Sequence, residues 1–239
     1  MMLPKKIEVC PIVDTVVEIR FISSLFSNAV FGMIYNEFQK DYPKVEKLPI
    51  LQLPDQLRDI DPNFKFKPHY KISNDKFIIQ IGPDVFTVGS TIPYIGWNEY
   101  SDEIYNLLQR LFNLKIISQV IRLGVRYINF FESDIFSRIK LSLSIDESEH
   151  ECKNTLIRTE IVNNDFINTV QIANNVNHVV NGRPIIGSII DIDTSRNYSD
   201  TKFISDYKTE VESAHNSEKE LFFSLLKDDF LDSLKPIFK

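Results

Sequence analysis

The stretch VIRLGVRYINF, residues 120–130, decides how this sequence is expected to fold. Side chains alternate between the two faces of a strand, so this stretch places a row of apolar residues on one face. Arg122 and Arg126 share the other face, with a glycine between them. Because the stretch lies near the middle of the chain, we expect a long strand inside a sheet, extending over residues 117–131.

The segments on either side of this strand show strand and helix patterns in turn. Before it, the patterns predict strands at residues 11–21, 69–73, 76–81 and 84–90, and helices at residues 24–41 and 98–114. After it, they predict strands at residues 136–145, 156–162, 169–176 and 185–193, and a helical segment at residues 203–237. Residues 43–68 contain five prolines and are expected to form a long connection, with a short strand near residues 45–50.

This order of elements predicts the α+β class, with two related antiparallel-sheet halves and helices packed on one face of each. We expect residues 1–132 to form a half with two helices. Residues 133–239 are expected to form a half with four strands and a long C-terminal helix. The chain of 239 residues is long enough to bury a core without disulfides.

The composition is typical of a globular cytoplasmic protein. Hydrophobic residues make up 43% and charged residues 25% of the chain. No segment has the roughly 18 consecutive apolar residues of a membrane-spanning helix, and no signal-peptide pattern is present. Cys10 and Cys152 lie far apart without a CxxC motif, so we expect both to be reduced thiols. These features predict a cytoplasmic protein that does not bind a membrane.

The net charge of −6 is unevenly distributed along the chain. Residues 1–132 contain 15 of the 27 basic and 15 of the 33 acidic residues, so residues 133–239 carry the whole negative excess. A general binder of nucleic-acid phosphates needs a basic face, which disfavours nucleic acid as a partner. The run FKFK, residues 64–67, keeps this alternative open, because interleaved lysines and phenylalanines can bind single strands. An edge strand is the favoured interpretation of that run.

The arginine face allows two interpretations. In the favoured one, Arg122 and Arg126 form ion pairs within the sheet, because an unpaired buried charge is very costly. The candidate ion-pair residues on other strands are Glu18, Arg20, Glu160, Asp191 and Asp193. In the second interpretation, the two guanidinium groups bind an anionic ligand together with Tyr127 and Asn129 at the end of the strand.

The sequence contains no recognisable catalytic motif. Phosphate-binding glycine loops, the nucleophile elbow and the HExxH metal motif are all absent from it. Asp191 and Asp193 with His215 or His178 are a weak candidate for a metal-dependent or acid–base site, and ion pairing of the two acids is favoured over it. We therefore predict no catalytic residues, no metal and no cofactor, and an enzyme is the least favoured class.

The C-terminal helical segment has more apolar side chains than one stripe requires. Phe222 and Phe223 are consecutive, and Phe230 adds a third ring. Such a helix can bury one face in its own half and offer the remainder to another subunit. The pattern predicts self-association or a protein partner, and a large interface within the chain is the open alternative.

Five segments occur in an order and spacing found elsewhere. They are PIVDTVVEIRF at 11–21, GWNEY at 96–100, IRLGVRYIN at 121–129, IIDID at 189–193 and an AH-containing helix at 214–226. Together they resemble a sporadically distributed bacterial family of uncharacterised proteins of about this length, and RLGVRYIN is the most specific element. The resemblance covers nearly the whole chain, although Asn216 stands where an acid is expected.

The resemblance implies a bacterial or archaeal cytoplasmic protein with an accessory role, as in defence or mobile-element systems, and it supplies no catalytic residue. Together with the residue patterns, it leads us to expect a non-enzymatic protein-binding or assembly module. Such a module would act through a protein partner or as a homo-oligomer. The alternative is an anion- or nucleotide-sensing module that uses the face of Arg122 and Arg126.

Overall fold

The computed structural model describes residues 3–146, 148–149, 153–163, 165–180 and 182–238, and its elements confirm the α+β class. The strands are β1 (Lys6–Ile7), β2 (Ile12–Ser23), β3 (Lys44–Lys47), β4 (Tyr70–Ser73), β5 (Phe77–Ile81), β6 (Val85–Ser90), β7 (Ile117–Phe131), β8 (Ser144–Ile145), β9 (Ser148–Glu149), β10 (Leu156–Asn163), β11 (Phe166–Val180), β12 (Arg183–Asn197) and β13 (Pro236–Ile237). The helices are α1 (Ser27–Phe38), α2 (Asp55–Ile60), α3 (Trp97–Asn113), α4 (Lys202–Leu225) and α5 (Asp228–Ser233), and Pro49–Gln52 forms a 3₁₀ turn. Cys152, one of the two predicted thiols, lies outside the described residues.

The main sheet has the strand order β10-β11-β12-β7-β2-β6-β5-β4-β3. The pairs β10–β11, β2–β6, β6–β5, β5–β4 and β4–β3 are antiparallel, as predicted. Two short pairs, β1–β13 and β8–β9, are also antiparallel. The edge strands of the main sheet are therefore β10 and β3.

β7 confirms the strand predicted for the central stretch, with the expected bounds. Leu123, Val125 and Tyr127 are buried on one face, whereas Arg122 and Arg126 are half-buried on the other. This alternation is the pattern that the sequence predicts. The arginine face is therefore the more accessible face of this strand.

The chain forms two compact units that are discontinuous in sequence. The terminal unit comprises Met1–Thr15, Arg126–Thr194 and Ala214–Lys239, and the central unit comprises Val16–Val125 and Ser195–Ser213. β2, β7, β12 and α4 each contribute residues to both units. The observed boundaries between the units fall inside these four long elements. They therefore do not coincide with the predicted boundary after residue 132, which lies between two elements.

In the central unit, helices α1 and α3 pack on β6 through aromatic side chains. The Phe38 ring of α1 lies 6.0 Å from the Phe86 ring, and the Tyr100 hydroxyl of α3 donates to the Val88 carbonyl at 2.6 Å. Phe86 and Val88 are two residues apart and therefore share one face of the strand. The first part of α4 adds Phe203, which is buried in the same unit.

In the terminal unit, the core joins β11 and β12 to the second part of α4 and to α5. Its buried side chains in mutual contact are Phe131, Ile135, Ile139, Val170, Ile172, Ile190, Ile192, Phe222, Phe223, Leu226, Phe230 and Leu234. The predicted interface residues Phe222, Phe223 and Phe230 therefore belong to this core and expose almost no ring surface to a partner. The open alternative, an interface within the chain, accounts for all three.

The single helix predicted at residues 203–237 is interrupted, and this prediction is wrong at its C-terminal end. α4 ends at Leu225, and Leu226 forms an isolated β-bridge with Ile139. The Lys140 N–H donates to the Leu225 carbonyl at 2.6 Å. Because these backbone groups bond to another segment, the helix does not continue into α5.

The strand predicted at residues 136–145 is also wrong. These residues form turns and irregular structure, except for β8 at their end. The Asp134 carboxylate accepts the Phe136 N–H at 3.1 Å, and this local bond favours a turn over an extended chain. Ile135 and Ile139 are both fully buried on the resulting bent path.

The long connection at residues 43–68 contains β3, near the short strand expected at residues 45–50, and it also contains the 3₁₀ turn and α2, which its prolines do not predict. Residues 64–66 lie in a turn, so the edge strand predicted for the FKFK run is wrong. The Arg20 guanidinium lies 4.8 Å from the centre of the Phe66 ring. This cation–π contact occupies one face of the ring within the central unit itself.

In the part of the chain that the structure describes, no helix is both long and apolar enough to cross a membrane. α4 is the longest, with 24 residues, and charged side chains occur along its length.

Candidate functional site

Arg126 forms the central ion pair of the terminal unit. Its Nε and Nη2 groups donate to the two carboxylate oxygens of Asp191 at 2.8 and 2.6 Å. The Arg126 side chain is 43% exposed, whereas the Asp191 side chain is 5% exposed. The hydrogen bonds to Asp191, with the charges of Asp193 and Asp14, raise the pKa of Arg126. The charges that act on this guanidinium are therefore those of three aspartates.

A row of polar side chains continues from this ion pair to the edge of the sheet. The Gln171 amide donates to Asp191 Oδ2 at 3.3 Å, and Arg158 lies opposite Gln171 in the register of β10 and β11. The row thus runs from Arg126 through Asp191 and Gln171 to Arg158, across four neighbouring strands. Its last member lies on the edge strand.

Arg122 belongs to a separate network in the central unit. Its Nη1 group donates to Glu18 Oε1 at 2.8 Å, and the Arg20 Nε group donates to the same oxygen at 2.7 Å. The two arginines of the predicted anion site therefore lie in different units, and each has an acidic partner. Glu160, another predicted partner, contacts Arg158 instead, at 3.4 Å.

The polar end of β7 contributes to the interior of the terminal unit. The Tyr127 hydroxyl lies 3.2 Å from Nδ1 of His215, and the Asn129 amide donates to the Ile190 carbonyl at 3.3 Å. Tyr127, Asn129 and His215 are buried. Because Tyr127 and Asn129 point to the face opposite Arg126, they do not join it in a ligand site.

His215 and Glu218 form a buried titratable pair on α4. They are three residues apart and therefore neighbours on the helix surface. Burial lowers the pKa of His215 to about 3 and raises the pKa of Glu218 to about 8. Both side chains are therefore mainly neutral at pH 7, because burial disfavours the charged form of each group.

The weak metal-site candidate does not form a ligand cluster. His178 packs beside Phe130, with the ring centres 4.7 Å apart, and Asp191 is bound to Arg126. In the described ranges, no group of three or more His, Cys, Asp or Glu side chains is arranged to hold a metal ion.

Sequence reasoning missed the exposed edge of the sheet at β10. Leu156 and Val162 of this strand are 65% and 74% exposed. The side chains of Arg158 and Glu160, between them, are 56% and 54% exposed. Alternation predicts the strand itself, but its position at the edge depends on the order of strands from distant parts of the chain.

The backbone of β10 directs alternate residues toward and away from β11. The Thr155 carbonyl accepts the Asn174 N–H at 3.2 Å, and the Ile161 carbonyl accepts the Asn168 side-chain amide at 3.3 Å. The odd-numbered residues therefore direct their backbone groups to β11. Those of the even-numbered residues point to the outer side, where no described strand pairs with them.

The opposite edge strand, β3, is better protected against pairing. Its sequence KVEK has a lysine at each end, and ion pairs join Lys44 to Asp75 at 2.8 Å and Lys71 to Glu46 at 3.2 Å. Lysines on an edge strand disfavour the addition of another strand. β10 is therefore the edge that is more available to a partner.

A scan against family models and a search of curated proteins both find no match to this chain. The bacterial family suggested by the resemblance, and the defence or mobile-element context that it implies, therefore stay predictions.

Proposed function

We propose that the protein is a non-enzymatic protein-binding and assembly module whose binding element is the free edge of β10. The observation that carries this proposal is the outward row of backbone N–H and C=O groups, flanked by the exposed side chains of Leu156 and Val162. An extended segment of another chain can add to such an edge as a further strand. Main-chain hydrogen bonds then supply affinity, and alternate side chains supply selectivity.

The contacts of the other candidate groups support a binding module over an enzyme. His215 is buried against Tyr127, and its pKa of about 3 makes it too weak a base for efficient proton transfer near pH 7. The carboxylate of Asp191 is held by Arg126 and Gln171. These side chains therefore already have structural partners within the terminal unit.

The anion-sensing alternative receives less support from the geometry. A phosphate at Arg126 would compete with Asp191 for the Nε and Nη2 groups, and Asp193 and Asp14 add negative charge nearby. Displacing Asp191 would leave a buried carboxylate without its main partner, which is costly. We therefore favour the protein-binding function.

Glu160→Pro tests the proposed binding edge. The substitution removes an outward N–H, while the neighbouring residues keep their hydrogen bonds to β11. We expect the variant to keep its circular dichroism spectrum and to lose most of its bound protein. The measurement is quantitative mass spectrometry of the proteins that co-purify with the tagged wild-type chain and with the tagged variant. An untagged copy of the same chain counts as one of these proteins.

Glu160→Ala is the matched control, because it removes the same side chain but keeps the N–H. This control should lose far less bound protein than the proline variant. Capture of the same proteins in the same amounts by wild type and Glu160→Pro would show that the edge of β10 is not the binding element.

A further inference from the structure

The outer edge of β10 has a sequence that complements itself. The strand reads LIRTEIVN from Leu156 to Asn163. When two copies run antiparallel with Thr159 opposite Thr159, Arg158 of each copy lies opposite Glu160 of the other. In the same register, Leu156 lies opposite Val162 and Ile157 opposite Ile161.

We propose that a second copy of this chain binds at this edge, so that two β10 strands pair antiparallel about a two-fold axis at Thr159. The inference rests on the proposed function, because it names the partner for the same edge. A two-fold interface of this kind uses the same surface on both subunits.

The charges on the outer face favour this pairing. In the isolated chain, Arg158 and Glu160 contact each other at the long distance of 3.4 Å, and both are more than half exposed. Across the proposed interface, each would face an opposite charge directly, which stabilises cross-strand pairs. The polar row of Arg126, Asp191, Gln171 and Arg158 would then end on a glutamate of the second copy.

The apolar side chains of β10 are also matched by this register. Leu156 and Val162, the most exposed apolar residues of the strand, would cover each other at both ends of the interface. On the other face, Ile161 is 38% exposed and would contact Ile157 of the second copy. The pairing therefore removes apolar surface from water on both faces.

The backbone geometry allows the same register. Arg158 and Glu160 are even-numbered and turn their N–H and C=O groups outward, so residues 158 and 160 of the two copies can exchange both hydrogen bonds. Leu156 and Val162 can do the same. Thr159 then occupies the non-hydrogen-bonded position on the axis, where opposite Cα atoms lie about 4.5 Å apart.

Neighbouring registers are disfavoured by the same charges. A shift that moves the axis to residue 158 places Arg158 opposite Arg158, and a shift to residue 160 places Glu160 opposite Glu160. Like charges directly opposite one another destabilise a strand pair. Among registers that keep the core-facing side chains on one side, the axis at Thr159 is therefore the favoured one.

Charge reversal tests the pairing with purified chains. We expect sedimentation velocity to show a concentration-dependent dimer for the wild type. Arg158→Glu alone and Glu160→Arg alone should each weaken this dimer by about tenfold or more, because like charges then meet at two places. An equimolar mixture of the two variants should restore dimerisation, since two glutamates on one chain then lie opposite two arginines on the other. Arg183→Glu, an exposed reversal away from β10, should leave the dimer unchanged.

A cysteine at the axis tests the register. In a chain with Cys10 and Cys152 replaced by serine, Thr159→Cys should form an intermolecular disulfide on mild oxidation, because the expected Cα separation suits one. Val162→Cys is the control. Its two copies would lie about 20 Å apart in this register and should remain reduced.

A wild-type chain that stays monomeric at millimolar concentration would overturn the self-pairing, as would reversal variants that dimerise as well as wild type. If the purified chain is monomeric but Glu160→Pro still abolishes capture of a different protein, self-pairing is wrong and the protein-binding function stands. If neither self-association nor capture depends on the edge, both proposals are wrong.

Discussion

Asp191 is almost fully buried, and the charge of its carboxylate is balanced mainly by Arg126. Arg126 itself is partly exposed, so its exposure alone would suggest a weak surface ion pair. The burial of Asp191 predicts a larger contribution to stability than the exposure of Arg126 suggests. A buried carboxylate that loses its cation is not hydrated in exchange, so its charge remains uncompensated. The contribution of the arginine is therefore set by the environment of the aspartate.

Arg126→Met removes the charge and keeps an apolar stem. We expect it to lower the free energy of unfolding by about 2–4 kcal/mol, because Asp191 remains buried without its cation. Lys140→Met is the matched control, since the Lys140 side chain is also 43% exposed but its partner Asp228 is 82% exposed. The control should change stability by less than about 0.5 kcal/mol. Urea unfolding measures both, and equal effects would contradict the argument.

His215 and Glu218 make opposite contributions to the pH dependence of stability. The pKa of Glu218 rises from 4.5 to about 8 on folding, so the stability it contributes is present below pH 4.5 and is lost as the pH rises toward 8. The pKa of His215 falls from 6.5 to about 3, so its contribution is present above pH 6.5 and is lost as the pH falls toward 3. Between pH 4.5 and 6.5 the two slopes oppose each other.

Glu218→Gln isolates the alkaline part of this dependence. The contribution of Glu218 predicts that wild-type stability falls by about 2 kcal/mol between pH 6.5 and 8, because unfolding releases the proton that the buried Glu218 still holds. The glutamine variant should lack this fall. Glu220→Gln, an exposed change on the same helix, should retain it. Thermal unfolding across this pH range measures the fall in stability of each protein. An identical fall in all three proteins would show that Glu218 does not cause it.

At the scale of elements, the close approach of β12 and β7 depends on Gly187. A Cβ atom at this position would overlap with the Phe131 carbonyl oxygen and would lie 2.6 Å from the Phe130 ring. A backbone oxygen cannot move aside as a flexible side chain can. A larger residue at position 187 therefore forces the two strands apart.

Gly187→Ala should lower the free energy of unfolding by about 3 kcal/mol, as overpacking against backbone does. Gly32→Ala in α1 is the control, because a Cβ there would meet nothing within 4 Å. That change should raise stability by about 0.5–1 kcal/mol through helix propensity. Chemical denaturation of both variants tests the contrast, and a tolerated Gly187→Ala would mean that the strands can separate freely.

The elements that the sequence predicts well are those whose pattern matches their surroundings. β7 and α3 have one apolar face each and meet the core as expected. The strand predicted at residues 136–145 is wrong because the alternation of RIKLSLSI, residues 138–145, indicates one buried face but does not supply a neighbouring strand. The end of α4 had a local signal, since Asp228 and Asp229 occupy the first turn of a new helix, where acidic residues are favourable.

The candidate binding edge could not be found from the sequence alone. Strand β10 is predicted by its alternation, but an edge is defined by the neighbour that a strand lacks. That information comes from the order in which β11, β12 and β7 pair, and these pairings are non-local. The ion pair of Arg126 and Asp191 is among the pairings that the sequence predicts. Burying an arginine without an acidic partner costs free energy, and this limits the partners that a half-buried arginine can have.

At the scale of the whole molecule, neither unit is a continuous piece of chain. The terminal unit needs residues from three segments and the central unit from two. Separate fragments of residues 1–132 and 133–239 should therefore fail to fold, because each lacks segments that complete its core. Circular dichroism and amide NMR dispersion of the fragments test this, with the full chain as control. A dispersed spectrum from either fragment would contradict the prediction.

On the ribosome, β1 is synthesised about 230 residues before its partner β13. At roughly 5–20 residues per second, the first strand waits about 10–50 s for that partner. The central unit likewise lacks its segment Ser195–Ser213 until most of the chain has emerged. The apolar surface that this segment covers, including the ring of Phe112 that packs against Phe203, stays exposed in the meantime, so nascent chains of this protein should depend on chaperones that shield it until synthesis is nearly complete.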